Sequence, residues 1–146
     1  LFSTCKYVYF EKKIKMKIDH IGIAVKDIEV SSALFSTILN RKPFSFERVE
    51  SQKLSAVFFK MEDTSFELLE PISSDSPISK FLEKKGEGIH HVALIVDDIK
   101  AEMERLKNEG FNPLTQEPYV GANNKLVCFF HPKDTNGVLI ELCQHQ

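Results

Sequence analysis

Four residues have the types and placing to do chemistry together: His20, Glu67, His91 and Glu141. Each interrupts an otherwise apolar segment, where an unpaired imidazole or carboxylate is costly to bury. The histidines lie in IDHIGIAVKD and GIHHVALIVDDI, the glutamates in FELLEP and VLIELCQ. One divalent cation held by two neutral imidazoles and two carboxylates would meet that cost for all four at once. The donor set suits Zn²⁺, Co²⁺, Ni²⁺, Mn²⁺ or Fe²⁺ and does not separate them.

A lone histidine on a strand is more often a satisfied core residue than a ligand. Here the pattern repeats. His20 to His91 and Asp63 to Asp134 are both offsets of 71 residues, and Glu67 meets Glu141 after a three-residue insertion. A register kept over that distance indicates two duplicated modules, each giving one histidine and one glutamate to a shared cleft. His90, beside His91, aligns with Asp19 and is expected to face away from the cleft, in packing or in hydrogen-bonded support of the ligand.

The elements that must position these groups follow from local patterning. Lys17–Val25 alternates as a strand, with Ile21, Ile23 and Val25 on one side and His20, Gly22 and Ala24 on the other. The small neighbours of His20 leave room beside it. Asp27 is placed to cap a helix that runs to about Leu39, with Val30, Ala33, Leu34 and Ile38 at helical spacing, and Asn40 is a left-handed stop. Strands are expected over 43–48, 54–59 and 65–69, which makes the first module (17–70) β-α-β-β-β. Residues 71–88 connect the modules. Within them Ser76-Pro77 starts a short helix whose Ile78, Phe81 and Leu82 bury one side. The second module (89–146) repeats the order: a strand over 89–96, a helix capped by Asp98 with Ile99, Met103 and Leu106, a stop at Gly110, then strands over 125–130 and 138–142. The expected fold is α+β: two tandem βαβββ modules forming one cupped, eight-stranded mixed sheet around a metal site.

Composition excludes several classes. The chain has 146 residues, 42% of them hydrophobic, enough for one domain with a proper core. Its net charge of −2, with scattered Lys and Arg, gives no basic footprint for nucleic acid. No apolar run approaches the roughly 20 residues that span a bilayer. Three cysteines, Cys5, Cys128 and Cys143, fit neither a disulfide framework nor a cysteine zinc site and point to a reducing, cytoplasmic compartment. Residues 1–15 mix aromatics and lysines without period. They read as an N-terminal extension rather than a secretory signal.

The segments around His20, Glu67, His91 and Glu141, together with the connector DSPISKFLEKKGEGIHH and the stretch HPKDTNGVLIELCQ, resemble those of methylmalonyl-CoA epimerases. These enzymes belong to the vicinal oxygen chelate (glyoxalase/bleomycin resistance) superfamily. The resemblance runs from Lys17 to the C-terminus. It implies one divalent metal per chain on His20, Glu67, His91 and Glu141, an acyl-CoA thioester substrate and a homodimer. It also implies interconversion of (R)- and (S)-methylmalonyl-CoA by removal and return of the α-proton through a metal-stabilised enolate, with Glu141 as the first catalytic base and Glu67 as its partner on the other face. There is one departure. Where some members place a catalytic carboxylate on the third strand of the first module, the matching residue here is Ala56. A glyoxalase I-like isomerase would use the same metal geometry. An extradiol-type oxygenase would use fewer protein ligands on Fe(II). A bleomycin-resistance-like binding protein would rely on aromatic stacking and have no need of four polar positions, and tryptophan is absent.

Overall fold

A computed structural model describes residues 16–146; the extension over 1–15 lies outside the described residues. The elements run β1 (Lys17–Ala24), α1 (Ile28–Leu39), β2 (Ser45–Val49), β3 (Leu54–Met61), β4 (Thr64–Pro71), α2 (Pro77–Lys85), β5 (Gly88–Ile95), α3 (Ile99–Asn108), β6 (Tyr119–Val120), β7 (Lys125–Phe130) and β8 (Ile140–His145). The strands form one mixed sheet in the order β2-β3-β4-β1-β5-β8-β7-β6. Within each module the first and last strands pair in parallel, β1 with β4 and β5 with β8. The modules join through the antiparallel pair β1–β5 at the centre of the sheet. This is the paired βαβββ architecture expected from the repeat. No helix among the described residues is long and apolar enough to cross a membrane.

The helix ends follow their capping residues. Asp27 accepts from Val30 N–H, Ser76 from Ile78 N–H and Asp98 from Ala101 N–H. Asn40 closes α1 in the left-handed region at φ 49°. Helices α1 and α3 lie on the convex side of the sheet. Under α1 are Val25, Val57, Phe59 and Leu68; under α3 are Val96, Cys128, Phe130 and Leu142. Helix α2 closes one end of the concave side, where Ile78 packs on Ala24, Ala56, Phe58 and Leu69.

Two local expectations are corrected. The stripe Val30, Ala33, Leu34 and Ile38 does not face the sheet: Val30, Leu34 and Ile38 are 67%, 56% and 65% exposed, and Ala33 is also exposed. The buried edge of α1 is Ile28 with Phe35 and Leu39, also at helical spacing. Its aromatic ring reaches Phe59 and Phe66 in the sheet, a fit that periodicity alone does not rank. The last strand also starts later than expected, at Ile140 rather than Val138, because Pro132–Asp134 forms a 3-10 turn and the chain turns through Gly137 at φ 84°.

Candidate metal centre

The order of strands brings the four residues to adjacent places. Glu67 stands on β4, His20 on β1, His91 on β5 and Glu141 on β8, four neighbouring strands with one donor each. All four are buried, at 4–8% exposure. Strand parity aims Glu67 into the cup and turns Glu70 to the convex side, where it accepts from Ile28 N–H at the start of α1.

His20 Nε2 lies 3.0 Å from His91 Nε2. Glu67 Oε2 is 2.9 Å from His20 Nε2 and 3.8 Å from His91 Nε2. Glu141 Oε2 is 3.2 Å from His91 Nε2 and 3.8 Å from His20 Nε2. Ligands about 2.1 Å from one ion stand about 3.4 Å apart in a tetrahedron and about 3.0 Å apart at adjacent corners of an octahedron. The observed spacings lie in and around that range. Two ring nitrogens facing each other at 3.0 Å cannot both present lone pairs without a proton or cation between them. The donor set and its spacing therefore fit a divalent cation.

Electrostatics agree with that fit. Burial pushes the Glu141 carboxyl up to about 8, with the Glu67 and Asp19 charges adding to it against the pull of His20 and Lys125. Burial holds the His91 imidazole well below its ordinary value, assisted by His20 and His90, so the ring is neutral. For His20 burial works downward, but hydrogen bonds to Asp19 and Glu67 and the two glutamate charges prevail and raise it to about 10. Without a cation, His20 is thus the charged imidazole of the pair, and Glu141 holds its proton more tightly than an ordinary carboxyl.

Gly22 is part of this geometry. It pairs directly with His91 across the β1–β5 ladder, and a Cβ there would lie 2.2 Å from His91 Cε1. The space expected beside His20 is occupied by the His91 ring. The opposite edge of that ring meets Phe129, with centroids 5.5 Å apart.

The four donors lie in the wall of a cavity of about 420 Å³, walled also by Phe58, Leu69, Ile78, Tyr119, Lys125 and Phe129. Lys125, a surface residue by composition alone, is largely buried here and donates to Asp19 Oδ2 at 2.5 Å. Burial pushes the Tyr119 phenol up to about 12, with the Glu141 charge contributing. Ala56 is fully buried under α2. Two carboxylates adjoin residues that line the cavity: Glu47 accepts from the N–H of Asn123 at 2.8 Å, and Glu50, on the 3-10 turn Glu50–Gln52 whose Ser51 and Gln52 line it, pairs with Arg48. Cys143 shares the parity of Glu141 but is fully buried beside Ala93 and Val127, and burial pushes its thiol up, so its role is packing.

The chain as a whole resembles known proteins. Residues 19–129 match the sequence profile of the glyoxalase/bleomycin resistance protein/dioxygenase superfamily. The mouse mitochondrial methylmalonyl-CoA epimerase is 40% identical over 129 residues, covering 88% of this chain and 72% of that protein. An ethylmalonyl-CoA/methylmalonyl-CoA epimerase of Cereibacter sphaeroides is 39% identical over 88% of this chain and 97% of its own length. The solved structure of a Streptomyces coelicolor methylmalonyl-CoA epimerase variant in complex with 2-nitronate-propionyl-CoA superposes with a TM-score of 0.86 at 34% identity, covering 88% of this chain and 94% of that one.

Proposed function

The chain belongs to the glyoxalase/bleomycin resistance protein/dioxygenase superfamily, among its methylmalonyl-CoA epimerases, and on that basis we propose that it interconverts the (R) and (S) forms of methylmalonyl-CoA at the His20–Glu67–His91–Glu141 centre. It is an isomerase. The observation that most supports the assignment of the centre is the delivery of one buried donor by each of four adjacent strands.

Epimerisation requires loss of the proton α to a thioester and its return on the opposite face. One divalent cation per chain, drawn from Co, Mn, Ni, Zn or Fe, would supply, when bound, Lewis-acid stabilisation of the charge that develops on the thioester oxygen. His20, Glu67, His91 and Glu141 would hold it. Glu141 takes the α-proton as general base, and Glu67, its counterpart in the first module, enters protonated and gives its proton to the other face; exchange with solvent then strips Glu141 and reprotonates Glu67. The apolar wall of Phe58, Leu69, Ile78 and Phe129 limits water around the reacting carbon. The same reading extends to a homodimer, supported by the outward apolar stripe of α1, and to a reducing, cytoplasmic compartment, supported by the free buried thiols Cys128 and Cys143.

The test is exchange of the substrate α-hydrogen in deuterated water with metal-loaded protein. Label enters methylmalonyl-CoA with the wild-type chain, and the Glu141→Gln variant retains its circular dichroism spectrum but loses exchange. Near-normal exchange in that variant would remove Glu141 from the role of base. Absence of label with the wild-type chain, together with turnover of a glutathione hemithioacetal, would replace the epimerase reading by a glyoxalase one.

A further inference from the structure

The β1–β5 ladder is not regular. Between Ile18↔Leu94 and His20↔Ala93, β1 advances two residues while β5 advances one, so Asp19 is an extra residue in β1. Between Gly22↔His91 and Ile23↔Ile89 the inequality reverses, and His90 is the extra residue in β5. Asp19 and His90 thus occupy the same place in the two repeats, each one residue ahead of a buried histidine. A bulge bends its strand and re-aims the side chain it adds. Both re-aimed side chains turn onto the ring beside them. Asp19 Oδ2 lies 2.7 Å from His20 Nδ1, and His90 Nδ1 lies 3.0 Å from His91 Nδ1. Each contact meets the ring nitrogen that points away from the cluster, while the Nε2 atoms face one another and the glutamates.

We infer that this pair of β-bulges is a positioning device in which Asp19 and His90 hold His20 and His91 as Nδ1–H tautomers, with both Nε2 lone pairs aimed at one divalent cation. The inference rests on the metal-centre reading given above. The chemistry of the partners sets the protons. A carboxylate only accepts, so the Nδ1 facing Asp19 carries the hydrogen, and a cation that displaces the proton His20 otherwise holds toward Glu67 would find the lone pair on Nε2. An Nε2 ligand on His91 likewise requires the hydrogen on its Nδ1, donated to His90 Nδ1, which places the remaining hydrogen of His90 on Nε2. Each support is itself held. Lys125 donates to Asp19, and the His90 ring meets the edge of Phe81 on α2 at a centroid distance of 5.0 Å. The two halves differ in kind: His20 leans on an anion, His91 on a neutral ring. Asp19 and His90 are positioning residues, since each acts through a histidine.

The test uses the full chain stripped of metal and titrated with Co²⁺ against a chromogenic chelator, with the visible d–d spectrum recorded. In parallel, long-range ¹H–¹⁵N spectra of the Zn²⁺-loaded, histidine-labelled protein report which ring nitrogen carries hydrogen. In the wild-type chain His20 and His91 show hydrogen on Nδ1. Asp19→Leu and His90→Phe lower Co²⁺ affinity by about 10- to 100-fold and alter the d–d band. Asp19→Asn, whose Oδ1 still accepts from Nδ1–H, keeps the His20 tautomer and binds within about tenfold of the wild type. His90→Phe keeps the ring packed against Phe81, and Asp19→Asn keeps the side-chain volume, so these two variants decide the matter if Asp19→Leu fails to fold. Wild-type affinity and an unchanged d–d band in His90→Phe, or loss of the His20 Nδ1–H signal in Asp19→Asn, would overturn the inference alone. Failure of the wild-type chain to take up Co²⁺ would overturn the metal reading beneath it.

Discussion

Replacing Gly22 by alanine tests the construction of the centre without touching a donor. Gly22 is not in the left-handed region, so its strand backbone accepts an L side chain without strain. Alanine also gives up less backbone entropy there, worth roughly 0.5–1 kcal/mol. The opposing effect is steric. The new Cβ would lie 2.2 Å from His91 Cε1, 2.5 Å from Nδ1 and 2.8 Å from Nε2. Ordinary carbon contacts begin near 3.5 Å, so the ring must retreat by about 1.3 Å. Its other sides are bounded by His20, His90 and Phe129 at centroid distances of 5.1, 5.3 and 5.5 Å, so it cannot slide away within its own plane of action. Metal–ligand distances tolerate about 0.2 Å, and a displacement several times larger removes His91 as a ligand. Metal affinity should fall at least about 100-fold, or about 2.8 kcal/mol, by chelator competition. Unfolding of the metal-free chain should shift by no more than the roughly 1–3 kcal/mol of an overpacked site. His91→Ala should cost less stability in the Gly22→Ala background than in the wild type, because there it also relieves the clash. A Gly22→Ala chain that binds metal as tightly as the wild type would refute the argument that the glycine exists to seat the His91 ring.

Three further outcomes are expected. Saturating metal at about 100 times its dissociation constant should stabilise the wild-type chain by about 2.7 kcal/mol, read as a rise in Tm that a chelator reverses; His91→Ala should abolish the rise. Leu34→Glu, on the outward face of α1, should make the chain monomeric in light scattering where the wild type is the proposed dimer, with the circular dichroism spectrum unchanged, and a wild-type chain that is already monomeric would defeat the proposed use of that face. Phe59→Ala, at a fully buried ring beside Phe35, should cost about 3–5 kcal/mol in denaturant unfolding, and a loss below about 1 kcal/mol would mean that the cluster under α1 collapses around the gap.

The modules, most strand positions and the four converging residues were legible because they depend on periods: two for strands, the helical repeat, and the 71-residue offset between His20 and His91. What escaped depends on events of a single residue. Parity places His90 on the side opposite His91, and the bulge brings its ring against His91 instead. Asp19 is moved in the same way. Nothing in the local pattern sets Lys125 apart from the other lysines, because its partner Asp19 is 106 positions away in the chain. The buried face of α1 is hidden for another reason: Val30, Leu34 and Ile38 form as regular a stripe as Ile28, Phe35 and Leu39, and only the shape of the sheet beneath chooses between them. The room beside His20 was anticipated from Gly22, but its occupant was not, since cross-strand register is a tertiary fact.

The repeat also bears on why this architecture suits the proposed reaction. An epimerisation run by two groups places one on each face of a single carbon, so such a site gains from approximate two-fold symmetry around a substrate that has none. A duplicated module meets the first requirement. Glu67 stands nearest His20 at 2.9 Å and Glu141 nearest His91 at 3.2 Å, each carboxylate beside the histidine of its own half. Strict symmetry would serve the second requirement poorly, because the CoA arm leaves the reacting carbon in one direction only. The halves have diverged accordingly. Helix α2 closes one end of the cup, and His91 rests on a ring braced by Phe81 of that helix, whereas His20 rests on an anion braced by Lys125 at the other side. On the proposed reading, the paired glutamates preserve the symmetry that the stereochemistry favours, and Asp19 and His90 mark where the two halves have parted to hold an asymmetric ligand.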